Sequence, residues 1–335
     1  MKRARGLVGT LAMMAMIALM TLSLAATAQG VGFVRLATVG DAPVPVAVWY
    51  PSTAATVPWE AGPYTVRATR DAPLAPGLHP LVLLSHGSGG GEYNHADLAE
   101  ALAQRGYVVA APRHVGDSFD SPQGRGSDVQ LTGRPWQAVA ALDAVLADAR
   151  LAPAIDAERI GMAGFSAGGY TTLVLAGAKP DLQLHGAHCH AHPDDAELCP
   201  DGADARFVVT RAGWALPPRD ARVRAAVLMA PLSVMFDARG LADVTLPLRI
   251  YKAQDDRMLQ NRFNTDPLAA ALPGQPERVD VPGGHFVFLG PCNATLAGVA
   301  RFICTDAAGV DRRAVHEKMN REIGDFFDRA LGPPP

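Results

Sequence analysis

The strongest claim to chemistry belongs to Gly164-Phe165-Ser166-Ala167-Gly168, followed by Gly169. A β-rich run, Arg159–Ala163, precedes it, and a helix-forming run, Ala167–Ala178, follows. A serine on such a strand-to-helix turn projects above a sheet, and glycines on either side permit the tight backbone. The helix start behind Ser166 favours negative charge at the same point. A hydroxyl is a weak nucleophile without a base, so an imidazole and a carboxylate must come from elsewhere in the chain. His285 fits the base: it follows the β-rich run Arg278–Val281 in Pro282-Gly283-Gly284-His285-Phe286. Asp255 and Asp256 follow the run Leu248–Tyr251, and both are candidates for the acid, because sequence does not orient adjacent side chains. That acid would hold the imidazole tautomer and stabilise the imidazolium. An oxyanion needs two backbone N–H donors. Ala167 is one candidate, and Ser88, in His86-Gly87-Ser88-Gly89-Gly90-Gly91, is the other.

These groups need a scaffold that brings distant loops together. Gly32–Val39 and Val44–Tyr50 are β-rich and separated by Gly40-Asp41-Ala42-Pro43, which predicts an antiparallel hairpin. Residues 51–79, rich in Pro, Ala and Gly, read as an irregular connection. Short apolar runs at Pro80–Ser85, Tyr107–Ala111 and Ala225–Met229 read as buried strands, with the three β-rich runs named above as further strands. Asn94–Gln104, Pro135–Asp148 and Arg312–Leu331 have helical periodicity. The last of these puts Val315, Met319, Ile323, Phe326 and Phe327 on one face. Strands alternating with helices imply an α/β fold with a mostly parallel sheet covered on both sides. Residues 180–222 are long and polar, and are expected to form a lid-like insertion over the sheet's edge within a single domain, 29–335.

The motifs resemble the α/β-hydrolase superfamily, and within it the dienelactone-hydrolase-like and platelet-activating-factor-acetylhydrolase-like bacterial serine esterases. The likeness rests on Ser85-His86-Gly87-Ser88-Gly89, Gly164-Phe165-Ser166-Ala167-Gly168-Gly169, and Gly284-His285-Phe286-Val287-Phe288-Leu289 with Pro291-Cys292. It implies an α/β-hydrolase fold over about residues 32–331, weakest in 51–79 and 180–222. It also implies Asp256 as the acid, since acids of this superfamily sit a few residues into that loop. True dienelactone hydrolases use a cysteine nucleophile where this chain has Ser166, so their substrate does not carry over. The expected activity is hydrolysis of a small-molecule or lipid-like carboxylic ester through an acyl-enzyme, without a cofactor. Rival readings are an amidase or peptidase on the same triad and a non-catalytic binding protein of hydrolase descent.

The chain of 335 residues is 49% hydrophobic and 19% charged, a globular composition. Lys2, Arg3 and Arg5, the apolar run Leu7–Leu24 and Ala26-Thr27-Ala28 together predict a cleaved export signal over residues 1–28. An uncleaved anchor is the rival, since about 18 apolar residues approach membrane-spanning length. Cleavage removes three basic residues and no acid, taking the formal charge from −3 to −6. No basic stripe suggests nucleic acid. A periplasmic or secreted protein meets oxidising conditions. Four cysteines allow three connectivities, and their grouping favours Cys189 with Cys199 and Cys292 with Cys304. The stretch His185–His192, with His188, Cys189, His190, Asp194 and Asp195, is dense enough to suggest zinc. It lacks HExxH or paired CxxC spacing, and an oxidised Cys189 is no ligand, so no metal is expected. Asn293-Ala294-Thr295 matches a glycosylation sequon that is common by chance.

Overall fold

A computed structural model describes residues 30–204 and 215–335. The expected signal segment lies outside the described residues. The strands are β1 (Gly30–Ala37), β2 (Pro45–Ser52), β3 (Trp59–Ala61), β4 (Tyr64–Val66), β5 (Thr69–Arg70), β6 (His79–Ser85), β7 (Val108–Pro112), β8 (Ile155–Phe165), β9 (Val223–Met229), β10 (Leu248–Ala253) and β11 (Glu277–Val281). The helices are α1 (Ala96–Gln104), α2 (Arg134–Ala147), α3 (Ala167–Leu175), α4 (Leu182–Ala191), α5 (Thr265–Ala271), α6 (Ala294–Val299), α7 (Arg301–Cys304) and α8 (Arg312–Leu331).

Among the described residues, nine strands form one sheet in the order β11-β10-β9-β8-β6-β7-β2-β1-β5. From β11 to β7 every pairing is parallel; β2 joins β7 and β1 antiparallel. Successive side chains of a strand point to opposite faces. Leu81 and Leu83 of β6 accordingly enter one hydrophobic layer, and Val82 and Leu84 enter the other. The first layer takes α2 and α3, and the second takes α1 and α8. In α8, Met319, Ile323, Phe326 and Phe327 are buried, each worth roughly 1.5–3 kcal/mol relative to exposure. Asp311 caps this helix by accepting the Ala314 N–H at 3.1 Å. Arg105 at the end of α1 bonds Asp325 and Asp328 of α8, each at 2.6 Å.

Two expectations need correction. Residues 51–79 are not irregular: β3 and β4 form a hairpin, and β5 pairs parallel to β1. Strands of two or three residues are too short to carry a period, which is why composition concealed them. The described part of the 180–222 segment packs on the loops after β9 and β10, not over an outer strand. Its α4 begins where Asp181 N–H bonds Met235 O, beyond β9, and its His188 packs on Phe263, beyond β10. It therefore covers the carboxyl ends of interior strands, and buried Cys189, Leu198 and Cys199 join the main core. A glycine and four histidines within or beside ten helical residues mask the helical pattern. Residues 205–214 of this segment lie outside the described residues.

Candidate active site

β8 ends at Phe165, α3 starts at Ala167, and Ser166 is the hinge between them with φ 55° and ψ −117°. A side-chain-bearing residue in that region is strained by about 1–3 kcal/mol, so the surroundings must hold it. They do: Ser166 N–H donates to Met229 O at 2.9 Å, and Ser166 O accepts from Gly169, Tyr170 and Leu232 N–H at 2.9, 3.2 and 3.0 Å. Gly168 is required because a Cβ there would overlap the Ser85 carbonyl. Gly87 is required for the same loop to approach Ser166, since its Cβ would stand 2.8 Å from the Phe165 ring.

His285 begins a short helical turn, His285–Phe288, after β11. Its Nε2 lies 3.0 Å from Ser166 Oγ and its Nδ1 lies 2.7 Å from Asp256 Oδ2. With Nδ1–H donating to the carboxylate, Nε2 is left to accept the serine proton. Asp256 Oδ1 accepts the Met258 and Leu259 N–H groups at 3.0 and 2.9 Å, which fixes the carboxylate plane. Asp255 is exposed, and its N–H donates to Gly283 O at 2.9 Å, tying the two loops together. Of the two adjacent aspartates, the one bonded to His285 is Asp256. Ser88 follows Gly87 on the facing loop, and Ala167 opens α3, where an amide has no intrahelical acceptor. Neither N–H donates to a protein acceptor among the described residues.

The loop carrying Ser88 rests on polar groups that sequence reading did not single out. Asp117 and Arg134 pair at 2.6 Å with both side chains fully buried. His86 Nδ1–H donates to Gly87 O at 2.7 Å while its Nε2 accepts the His114 N–H at 3.0 Å. Burial, reinforced by the Arg134 guanidinium, pushes His86 down to about 3, so it is neutral near pH 7. The signal available in sequence was the length of the polar, glycine-rich stretch from 113 to 133, which follows a strand at the sheet's carboxyl end.

Ser166 and His285 open into a cleft of about 1210 Å³. Its walls combine aromatic side chains, among them Phe33, Trp59, Tyr64, Tyr93 and Phe286, with charged ones such as Arg35, Glu92 and Arg113. Phe119, Val299 and Phe302 line it while remaining mostly exposed, at 63%, 73% and 70%. Val299 and Phe302 belong to the loop closed by the Cys292–Cys304 disulfide, and Glu197 reaches the cleft from beside the Cys189–Cys199 disulfide. Both cysteine pairs match the expected local connectivity.

The dense histidine stretch has other partners. His185 Nε2 bonds Leu198 O at 2.8 Å, His188 Nε2 bonds Asp195 Oδ2 at 3.0 Å, and His192 stacks near Phe263 with ring centres 4.4 Å apart. Among the described residues no three His, Cys, Asp or Glu side chains converge in a geometry that could hold a metal ion. Asn293 of the sequon is engaged on both sides: it caps α6 by accepting Leu296 N–H at 2.8 Å and donates to Thr65 Oγ1 at 3.1 Å.

A serine at a strained strand-to-helix turn, facing a histidine and acid from later loops of a parallel sheet, invites comparison with known folds. A solved ferulic acid esterase from Streptomyces cinnamoneus superposes with a TM-score of 0.59, at 22% identity, over 91% of each chain. The fold is that of the α/β-hydrolases. The sequence profile of the dienelactone hydrolase family matches residues 66–200 of this chain. That span contains Ser88 and Ser166 and ends before Asp256 and His285. No curated protein matches in sequence.

Proposed function

We propose that the chain is an exported serine hydrolase that cleaves carboxylic esters. The observation that carries this reading is the unbroken hydrogen-bonded series Ser166 Oγ–His285–Asp256. Ser166 attacks the ester carbonyl while His285 takes its proton, and Asp256 holds the ring and its positive charge. The tetrahedral oxyanion is received by the Ser88 and Ala167 N–H groups. His285 returns the proton to the leaving alcohol, and water then releases the acid from Ser166 by the same route. The esterase named among the structural relatives and the dienelactone hydrolase profile support ester cleavage. The aromatic side chains of the cleft support a small-molecule or lipid-like substrate with a hydrophobic part. Two disulfides support passage to an oxidising compartment.

Ser166→Ala is expected to lower turnover of p-nitrophenyl butyrate by about six orders of magnitude. Fluorophosphonate is expected to label the wild-type protein at Ser166 and not the variant. Retained activity in a folded variant would reject the nucleophile. Parallel assays with matched anilides separate esterase from amidase: a kcat/KM for the anilide equal to that for the ester would favour the amidase.

A further inference from the structure

We infer that the buried Asp117–Arg134 pair is the clamp that sets the distance and aim of the two oxyanion donors. The inference rests on the serine-hydrolase reading above and extends it to residues that never touch substrate.

The clamp has two arms. On the Ser88 side, Asp117 Oδ1 accepts the Ser88 hydroxyl at 2.6 Å and the Gly89 N–H at 3.3 Å. Arg134 donates through Nη2 to the His86 carbonyl and lies 3.4 Å from Ser85 Oγ. Both peptide units flanking Gly87-Ser88 are thereby held, and with them the direction of the Ser88 N–H. On the other side, Arg134 Nε donates to Thr171 Oγ1 at 3.3 Å, and the Thr171 hydroxyl donates to Ala167 O at 3.0 Å. One guanidinium therefore spans the loop of one donor and the helix start of the other. Asp117 Oδ2 holds that guanidinium at 2.6 Å.

Stability does not account for such a pair. Removing two charges from water costs about as much as their attraction returns, and apolar replacements are often equally stable. What a planar fork with fixed donors supplies is geometry. Burial raises the Asp117 carboxyl, but Arg134 and the Ser88 hydroxyl outweigh it and hold the group below its ordinary range. It is ionised wherever an imidazole base works. Precise donor placement matters because an oxyanion hole acts on the transition state, not on the bound ester.

The test measures kcat, KM and the affinity for a trifluoromethyl ketone, whose adduct with the serine carries the oxyanion. Asp117→Asn is expected to lower kcat about 10²-fold and weaken the ketone in parallel, with KM within about threefold. A buried, unpaired Arg134 can prevent folding, so the exposed Ser88→Ala supplies a second variant that keeps the N–H and loses only the hydroxyl. It is expected to lower kcat and ketone affinity together by about tenfold, and Ser88→Thr to restore both. Folded variants with wild-type kcat, or with kcat reduced while ketone affinity holds, overturn the clamp. A wild-type protein that fails to react with fluorophosphonate overturns the nucleophile, and this inference with it.

Discussion

Two of the aspartate–histidine pairs among the described residues join a ring Nδ1 to a carboxylate with nearly equal geometry, and they do different things. Asp256 and His285 lie 2.7 Å apart; Asp97 of α1 and His316 of α8 lie 2.6 Å apart. The difference is at the far nitrogen. His285 Nε2 faces the Ser166 hydroxyl, a group that can donate to it. His316 Nε2 faces the Val287 carbonyl at 2.8 Å, which can only accept. With acceptors on both sides, His316 is best satisfied as the doubly protonated cation. Burial works against that charge, but Asp97 and the Val287 carbonyl outweigh it and raise His316 above its ordinary value. Burial would likewise raise Asp97, yet the imidazolium and the Asn320 amide bring it down to about 2. A close aspartate–histidine pair is therefore not in itself a sign of catalysis. Val287 lies in the same short turn as His285, so the second pair secures the loop that presents the first.

The sharpest way to break this comparison is to disable each pair in turn. Asp256→Asn is expected to lower kcat about 10⁴-fold with little change in melting temperature, because the amide favours the wrong tautomer of His285. A loss below tenfold in steady-state assays would remove Asp256 from the reaction.

His316→Gln is expected to reverse that pattern. Breaking a buried pair leaves Asp97 without its partner, at a cost of about 3 kcal/mol, while kcat falls less than tenfold. The pH dependence identifies the pair. A histidine with a raised pKa contributes stability that is complete below its unfolded value near 6.5 and fades as pH climbs through the raised one. An aspartate lowered from 3.8 to about 2 contributes stability that is present above 3.8 and fades as pH falls through 2. The two shifts describe one interaction and are not summed. Urea titrations of wild type and variant should therefore diverge most between about pH 4 and 6.5, by at least about 2 kcal/mol. A difference independent of pH would mean that packing, not charge, holds the turn.

Legibility in sequence followed the reach of each interaction. Ser166, Ser88 and His285 announce themselves because the turns that present them need nearby glycines. Asp256 and Asp255 differ only in which way a loop points, so the residues alone left both open. Asp97 and His316 are 219 positions apart and nothing local marks either partner, while Asp117 and Arg134, 17 apart, are marked only by the length of the polar stretch between them. His316 is the clearer case: in a helix with an apolar face at Met319, Ile323 and Phe327, a histidine reads as the polar side, yet it is buried. The parallel sheet was legible because its central strands carry apolar runs at Pro80–Ser85, Tyr107–Ala111 and Ala225–Met229. The 51–79 hairpin and α4 were not, because short strands and a histidine-rich helix carry no period.

Glu100 sharpens the rule that partners, not burial, decide the charge. It lies one turn along α1 from Asp97 and is buried where Asp97 is partly exposed, but it has no imidazole beside it. Burial pushes it up to about 7, against the opposing Arg67 N–H at 2.6 Å and the Arg67 guanidinium. The sign is opposite to that of Asp97: an acid whose folded pKa is raised from 4.5 loses stability as pH rises from 4.5 to 7. Glu100→Gln keeps an acceptor for the Arg67 N–H and removes the charge. It should leave stability unchanged near pH 4 and raise it by about 1–3 kcal/mol at pH 8. Thermal melts at the two pH values check this, and a variant equally or less stable at pH 8 would place Arg67, not burial, in control of the carboxyl.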